Sequence, residues 1–143
     1  MPKPDPALLN PARYPFRCDV TTRFSDLDFN WHVNNVGMSD LFQEGRVRFH
    51  AACGWKPGLE GNAPMAASIA LDFLGEARHP EPVTIQAGLL EIGRTSHTLC
   101  ELATQGDVIV AFAKVVMVCV KDGRPTENPA SFVSGSGAWM VRP

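Results

Sequence analysis

The chain has 143 residues, of which 45% are hydrophobic and 20% charged, and this length is typical of one compact domain with a single core. Its formal net charge of -2 and its scattered basic residues argue against nucleic acid or an anionic membrane surface as a partner. The sequence has neither the apolar run of a secretory signal nor one long enough to span a membrane, so we expect a soluble cytoplasmic protein.

The first predicted element is a strand from Phe16 to Phe24, where apolar or small side chains alternate with polar ones. The polar stretch from Ser25 to Asn35 ends this alternation. Asn34 or Asn35 is suited to cap a helix that follows, because an Asn side chain accepts hydrogen bonds from the free N–H groups of a first turn.

The next segment predicts an amphipathic helix of about four to five turns. Gly54 follows it in a position typical of a left-handed C-cap. A glycine within the apolar stripe, Gly45, indicates that something, such as a sheet, approaches the helix backbone closely. The apolar stripe comprises Met38, Leu41, Phe42, Gly45, Phe49 and Ala52.

A Gly- and Pro-rich loop from Gly54 to Pro64 precedes four strand-like runs. Two of the boundaries between them, at Gly93 and at Gln105-Gly106, are typical of hairpin turns. The predicted order is therefore one strand, one long helix and a meander of four long strands. The four runs are Met65 to Phe73, Val83 to Ile92, Ser96 to Thr104 and Val108 to Lys121.

The last run, Val108 to Lys121, is apolar on both of its faces. One helix covers only one face of an antiparallel sheet, and the other face is normally polar and solvated. We therefore expect a homo-oligomer, dimer or tetramer, to cover the second face. The alternative is that the C-terminal tail, residues 129–143 with Trp139, folds back over it.

Cysteines and histidines are dispersed along the chain, four of each. The cysteines form no Cys-x-x-Cys pair, and no histidine has a second His or Cys at the short spacing of most local metal sites. In a cytosolic protein, such cysteines are typical of small buried side chains. We expect neither a metal nor a cofactor.

The segment from Asp26 to Asn35 concentrates chemistry: two carboxylates, three carboxamides and one imidazole directly before the predicted helix. Apolar residues alternate with these groups, so we expect the loop to be partly buried. A carboxylate here can attack an acyl carbon or activate water, while N–H groups of the helix N-terminus polarise the carbonyl oxygen. Such a site suits acyl transfer to water. The alternative is that Asp26, Asn34 and Asn35 only build turns and cap the helix.

These residues resemble the signature of hotdog-fold acyl-CoA thioesterases of the 4-hydroxybenzoyl-CoA thioesterase type. The stretch from Asp28 to Asn35 is also similar to the Asp-x-Asn-x-His-Val-Asn-Asn motif of acyl-ACP thioesterases. The resemblance covers nearly the whole chain. Its matching runs are Arg23-Phe24-Ser25-Asp26-Leu27-Asp28, His32-Val33-Asn34-Asn35, Phe42-Gln43-Glu44-Gly45-Arg46 and Ile92-Gly93-Arg94-Thr95-Ser96.

The resemblance implies an α+β hotdog fold over residues 1–143, with a long central helix wrapped by a five-stranded antiparallel sheet. Residues 1–13 would be an N-terminal extension. It also implies active sites at a subunit interface, and hydrolysis of an acyl-CoA or acyl-ACP thioester.

The resemblance also implies roles for single residues. Asp28 would be the catalytic carboxylate, Asn30 and His32 would position substrate or water, and the N–H of Asn35 or its neighbour would hold the thioester oxygen. Asn34 would lie beside the substrate, and Asp26 would be structural. Two departures stand out: Trp31 replaces the Gly that usually precedes the His, which bears on the acyl pocket, and Gly45 replaces a usual Ala.

Two further residues are candidate substrate contacts. Glu44 is a possible second carboxylate, although its spacing from Asp40 and Arg48 favours a solvated ion-paired face. Arg94 is a possible clamp for CoA phosphates, although lone surface cations usually have no such role.

Two other functions compete with hydrolysis. Acyl-thioester hydratases and dehydratases resemble Asp-x-Asn-Pro-x-His, whereas here His32 follows Asp28 by four residues and Trp31 follows Asn30. A non-catalytic acyl-CoA-binding module would not require a carboxylate at position 28. The spacing and the carboxylate both favour a hydrolase.

Overall fold

The computed structural model describes residues 3–55 and 61–143 and shows one antiparallel sheet with a helix packed against it. The sheet order is β1-β3-β4-β5-β2, and a short sixth strand pairs with β5. The predicted limits of β3 and β5 are confirmed, and β2 and β4 are slightly longer than predicted. The elements are β1 Phe16–Val20, α1 Asn35–Ala52, β2 Ala63–Phe73, β3 Val83–Ile92, β4 Ser96–Gln105, β5 Val108–Lys121, β6 Arg124–Pro125 and α2 Ala130–Gly135.

Strand connectivity differs from the predicted meander of four strands. Of the four strands, only β3, β4 and β5 lie side by side in chain order, because β2 pairs with β5 at the edge of the sheet. The first strand is also shorter than predicted: it ends at Val20, and residues Phe24–Asp26 form a 3-10 helix that leaves Phe24 69% exposed. The predicted loop from Gly54 to Pro64 includes residues 56–60, which lie outside the described residues.

Helix α1 has 18 residues and lies against β1, β3 and β4. The close approach predicted at Gly45 is confirmed: a Cβ there would lie 2.5 Å from Cγ2 of Ile85 in β3. Gly54 has the expected left-handed conformation, with φ of 95°. The apolar stripe was wrong in detail, because Ala52 is exposed whereas Arg46 and His50 are buried among the apolar side chains.

The sheet face turned away from α1, which we call the outer face, is partly covered within the chain. Tyr14 in the N-terminal segment packs with Phe112 of β5 and Leu102 of β4, and Leu8 and Leu9 lie beside them. The N-terminal segment therefore covers the outer face of β5 around Phe112, and a second copy is not required to bury that part of the strand.

The C-terminal tail packs on the same side of the sheet as α1. Trp139 makes edge contacts with Phe16 and Phe49, and Phe132 is buried beside Trp55. The alternative in which the tail covers the outer face is therefore wrong for most of its length, although Val141 reaches the outer cluster. Among the described residues, no helix is both long and apolar enough to cross a membrane.

Candidate active site

The loop before α1 folds into a tight turn centred on Asp28. The Asp28 backbone N–H donates to the His32 carbonyl (2.9 Å), and Trp31 donates back to the Asp28 carbonyl (3.0 Å). The carboxylate oxygen Oδ1 of Asp28 accepts from the backbone N–H groups of Asn30 (2.8 Å) and His32 (3.3 Å). Its other oxygen has no hydrogen bond to the described residues. Backbone hydrogen bonds thus fix one carboxylate oxygen of Asp28, and the second oxygen is left available for a substrate or a water molecule.

Asp26, the neighbouring carboxylate, lies in a different environment. It is 2% exposed, and its oxygens accept from the Arg23 guanidinium (2.7 Å) and the Arg23 backbone N–H (2.8 Å). Burial alone would raise the pKa of Asp26, but the hydrogen bonds and charge of Arg23 outweigh burial and hold that pKa below its usual range. Asp26 also packs against the helix, since a Cβ at Gly37 would lie 2.8 Å from its Cβ. These contacts anchor the loop to the first turn of α1.

The N-terminus of α1 offers two unused donors. Asn34 is the N-cap: its Oδ1 accepts from the N–H of Gly37 (2.7 Å), and its carbonyl accepts from Met38 (2.8 Å). The N–H groups of Asn35 and Val36 have no acceptor among the described residues. Free N–H groups at a helix N-terminus favour a negatively charged oxygen, so they can stabilise an oxyanion.

The remaining loop residues project outward. His32 is half-buried, and its Nε2 lies 3.2 Å from Oε2 of Glu76, a partner that sequence spacing does not indicate. Asn30 is exposed. Trp31 has φ of 64°, a left-handed conformation that favours glycine, and glycine is the usual residue at this position in the family that the sequence resembles. The expectation of a partly buried loop was wrong for Phe29 and Trp31, which are 96% and 68% exposed because the tight turn directs them away from the core.

Two predicted substrate contacts do not join this turn. Glu44 lies nine residues beyond the start of α1, a rise of about 14 Å, and pairs with Arg48 at 2.9 Å. Arg94 lies in the turn between β3 and β4 and pairs with Glu127 at 3.3 Å. Both ion pairs are exposed. Of the predicted site residues, Asn30, Trp31 and His32 bond Asp28 directly, and Asn34 is tied to the same loop through the Leu27 carbonyl and directly precedes Asn35.

A second polar cluster lies beneath α1, and the sequence did not predict it. Arg46 Nη1 donates to Oε1 of Glu101 in β4 at 2.7 Å, and Glu101 is fully buried. One turn later, His50 Nε2 lies 2.9 Å from Nε2 of His97, also in β4. The available signal was the i,i+4 spacing of Arg46 and His50 on the buried side of α1.

Hydrogen-bond roles in the histidine pair follow from one contact. His50 Nδ1 lies 3.0 Å from the Arg46 carbonyl oxygen, which only accepts, so His50 carries its proton on Nδ1. His50 Nε2 is then the acceptor and His97 Nε2 the donor. Burial lowers the pKa of His50 to about 4 and that of His97 to about 3, so both are neutral near pH 7. Burial also raises the pKa of Glu101 against the opposing effect of Arg46.

Comparisons with known proteins agree with this architecture. The model of the thioesterase-like superfamily matches residues 22–135, from the polar loop to α2. No curated protein matches the chain in sequence. In the described residues, no group of three or more His, Cys, Asp and Glu side chains is placed to hold a metal ion.

Solved structures share the fold over nearly their whole length. A thioesterase from Thermus thermophilus, complexed with coenzyme A and Zn, has a TM-score of 0.80 and 25% identity, covering 92% of this chain and 98% of that chain. A predicted thioesterase from Bacillus stearothermophilus has a TM-score of 0.78 and 25% identity, with coverages of 90% and 98%. A 1,4-dihydroxy-2-naphthoyl-CoA thioesterase from Synechocystis, at 12% identity, shares the fold alone, with a TM-score of 0.74 and coverages of 85% and 95%.

Proposed function

The chain belongs to the thioesterase-like superfamily and is a thioester hydrolase, and we propose that it cleaves an acyl-CoA or acyl-ACP thioester with Asp28 as the catalytic carboxylate. The observation that carries this proposal is the state of Asp28, an exposed residue: its Oδ1 is held by two backbone N–H groups, while its other oxygen has no hydrogen bond to the described part of the chain. A fixed carboxylate oxygen beside an open one is suited to accept a proton or attack a carbon in a defined direction.

Hydrolysis by this site follows one of two routes. In the first, Asp28 takes a proton from water, and the water oxygen attacks the thioester carbon to form a tetrahedral oxyanion. In the second, Asp28 attacks the carbon itself and forms a mixed anhydride, which water then hydrolyses. In both routes the C–S bond breaks, the thiolate leaves and takes a proton, and the acyl group becomes a free acid.

The other loop residues have supporting roles in this scheme. The N–H of Asn35, with that of Val36, holds the oxyanion, and Asn34 caps the helix and keeps those donors free. Asn30 and His32 position water or substrate, and the Glu76 carboxylate orients the His32 ring.

Three more residues are proposed to contact the substrate. Trp31, exposed beside Asp28, would border the acyl group. Glu44 and Arg94 would each exchange a surface ion pair, with Arg48 and Glu127 respectively, for a substrate contact. Such exposed pairs contribute little stability, so the exchange costs little.

We also propose a homo-oligomer, dimer or tetramer, in which copies meet along β2. This strand is at the sheet edge, and Met65, Ile69 and Phe73 are 54%, 48% and 49% exposed. An edge strand with exposed apolar side chains invites pairing with a second copy. The apolar tips of the catalytic loop, Phe29 and Trp31, would gain cover if the interface extends to them.

Two other functions weighed from the sequence would give different products. A hydratase or dehydratase would add or remove water beside the thioester and leave its C–S bond intact. A binding module would bind the acyl-CoA and release neither thiol nor acid. The reaction products alone therefore distinguish each of these two functions from hydrolysis.

The proposal is tested by a screen of purified protein against short, long and aromatic acyl-CoAs, with a dye that reports free thiol. Thiol release from at least one acyl-CoA at a rate well above spontaneous hydrolysis is expected. Hydration of an unsaturated acyl-CoA without thiol release would favour the hydratase. Tight binding with no turnover of any acyl-CoA or acyl-ACP would favour the binding module.

A further inference from the structure

The short segment that follows β2 is held against the sheet directly before Glu76. The backbone N–H groups of Leu74 and Gly75 both donate to the Val110 carbonyl of β5, at 2.8 and 2.9 Å. A side chain at Gly75 has no room, since a Cβ there would lie 2.7 Å from the Ile109 carbonyl oxygen. The chain therefore enters Glu76 from a fixed point on the sheet.

The residues after Glu76 are fixed as well. The Ala77 carbonyl accepts from the N–H of Val33, in the loop before α1, at 2.8 Å. The Arg78 backbone N–H donates to Oε1 of Gln105, and the Arg78 carbonyl accepts from Nε2 of the same side chain, both at 2.8 Å. Since the backbone is tied on both sides, the Glu76 side chain starts from a defined position beside the loop.

His32 is the loop residue that the Glu76 side chain meets. Its Nε2 lies 3.2 Å from Oε2 of Glu76. The backbone of His32 is fixed to Asp28, because the His32 N–H donates to Oδ1 of Asp28 at 3.3 Å and the His32 carbonyl accepts from the Asp28 N–H at 2.9 Å. One end of this residue is therefore held beside Asp28, and the far end of its ring lies beside Glu76.

The Glu76 carboxylate favours one arrangement of hydrogen on the His32 ring. A carboxylate only accepts, so it repels a lone pair on Nε2 and attracts an Nε2–H group. In the neutral ring, hydrogen is then on Nε2 and the lone pair is on Nδ1. Nδ1 has no hydrogen-bond partner among residues 3–55 and 61–143. It is therefore the ring atom left to accept a hydrogen from water.

We propose that Glu76 is a positioning residue for hydrolysis: it holds the His32 ring with Nε2–H toward itself, so that Nδ1 accepts a hydrogen from the attacking water. The inference rests on the proposed thioester hydrolysis and deepens it by assigning the role of each ring nitrogen. In the first route, Asp28 takes one hydrogen of the water as a proton while Nδ1 holds the other, which leaves an oxygen lone pair for the thioester carbon. In the second route, Nδ1 holds the water that attacks the mixed anhydride.

The first test is a cycle of variants on the thioester that the wild type hydrolyses best. Glu76→Ala should lower kcat about tenfold and leave KM within about twofold, because either ring nitrogen can then face the site. The variant with both Glu76→Ala and His32→Ala should be no slower than His32→Ala alone, since Glu76 acts only through the ring. Wild-type kcat in Glu76→Ala, or an equal loss with and without His32, would overturn the inference.

Glu81→Ala is the matched control for the loss of charge. It removes one negative charge from an exposed residue five positions further along the chain. The Glu81 side chain makes neither a hydrogen bond nor an ion pair within the part of the chain that the structure describes. This variant should keep the wild-type kcat. A loss as large as that of Glu76→Ala would show a general effect of charge and would contradict a specific role of Glu76.

The second test observes the His32 ring directly and needs no substrate. Nitrogen-15 NMR distinguishes a ring nitrogen that carries hydrogen from one that carries a lone pair. In the wild type, the neutral His32 ring should carry hydrogen on Nε2 alone, and Glu76→Ala should show a measurable share with hydrogen on Nδ1. Hydrogen on Nδ1 in the wild type, or identical spectra of the ring in the two proteins, would overturn the inference.

Failure of this inference differs from failure of the proposed function. If the folded wild type hydrolyses no thioester, the proposed function is wrong and the inference falls with it. If the wild type hydrolyses thioesters while Glu76→Ala keeps its kcat and its ring spectrum, the hydrolase stands and only the role of Glu76 is wrong.

Discussion

Gly45 of α1 lies directly against Ile85 of β3, where a Cβ on residue 45 would stand 2.5 Å from Cγ2 and 2.8 Å from Cβ of the isoleucine. Alanine is the better helix former by about 1 kcal/mol, yet the branched side chain of Ile85 has little freedom to move. We expect Gly45→Ala to lower the free energy of unfolding by about 1–3 kcal/mol, measured by urea denaturation.

Gly135→Ala is the control for this change. Gly135 has φ of -88°, and a Cβ there would meet no atom within 4 Å. This substitution should leave stability unchanged or raise it slightly. If Gly45→Ala is as stable as wild type, the packing of α1 on the sheet described above is wrong.

Local pattern explains why so much of the fold was predictable. The runs that became β3 and β5 are bounded by turn residues such as Pro82, Gly93 and Gly106, so their ends were set by neighbouring sequence. Gly45 stood out because glycine in an apolar helix stripe has a packing reason. The position of β2 in the sheet was not predictable in this way, because the alternation of apolar and polar residues in a strand does not indicate which other strand pairs with it.

Long-range polar contacts account for the rest of what was missed. The pairing of His32 with Glu76 joins residues 44 positions apart, and that of Arg46 with Glu101 joins residues 55 apart. A charged residue such as Arg46 is assigned to the solvent-facing side of a helix by its hydrophobic pattern, although here it is buried. The loop motif points to Asp28 only by resemblance, and the sequence does not indicate the two backbone N–H groups that hold its Oδ1.

The buried histidine pair predicts how stability depends on pH. His50 and His97 have folded pKa values of about 4 and 3, below the ordinary 6.5, so their contribution is present above pH 6.5 and is lost as the pH falls. Each histidine contributes up to about 1.4 kcal/mol per pH unit in that range. Glu101 acts in the opposite sense, since its pKa is raised and its contribution is lost as the pH rises.

As the pH falls from 6.5 to 5, the stability lost through the two histidines exceeds the stability gained through the one carboxyl. The free energy of unfolding should therefore be lower at pH 5 than at pH 6.5. Urea denaturation at both pH values measures this. His97→Gln keeps an N–H donor for His50 but does not titrate, so its stability should depend less steeply on pH. Equal stability of the wild type at the two pH values would show that the histidines are not buried as neutral rings.

The exposed edge strand predicts a change of assembly. Ile69→Lys places a charge at a residue that is 48% exposed in the single chain, so folding should be preserved while pairing along β2 is lost. Light scattering should report dimer or tetramer for the wild type and monomer for the variant. Val133→Lys, at a residue 45% exposed in α2, should keep the wild-type assembly. A monomeric wild type at micromolar concentration would refute the proposed oligomer.

The cysteines should be dispensable for turnover. Burial raises the pKa of Cys53 and of Cys100 to about 12 and also raises that of Cys18, so these thiols hold little thiolate near pH 7. Replacing all four cysteines by Ala or Ser should leave most specific activity in the protein that remains folded. Loss of all turnover with fold and assembly intact would instead point to a cysteine nucleophile.

The two carboxylates of the loop give the most discriminating comparison. Asp28→Asn keeps the size of the side chain and its acceptor for the Asn30 and His32 N–H groups, but removes charge and basicity. Asp26→Asn weakens the pairing of the buried Asp26 carboxylate with the exposed Arg23 guanidinium and should therefore cost stability more than rate. His32→Ala should have an intermediate effect on rate, because water can replace part of an orienting group.

The central claim is tested most directly by kcat of Asp28→Asn on the best thioester of the wild type, with acyl-CoA affinity measured by calorimetry on the same protein. A positioned base contributes roughly 10²–10⁴ and a nucleophile often more, so kcat should fall at least about a hundredfold while the Kd changes little. Near wild-type turnover by Asp28→Asn, with Asp26→Asn folded but inactive, would contradict the assignment of Asp28.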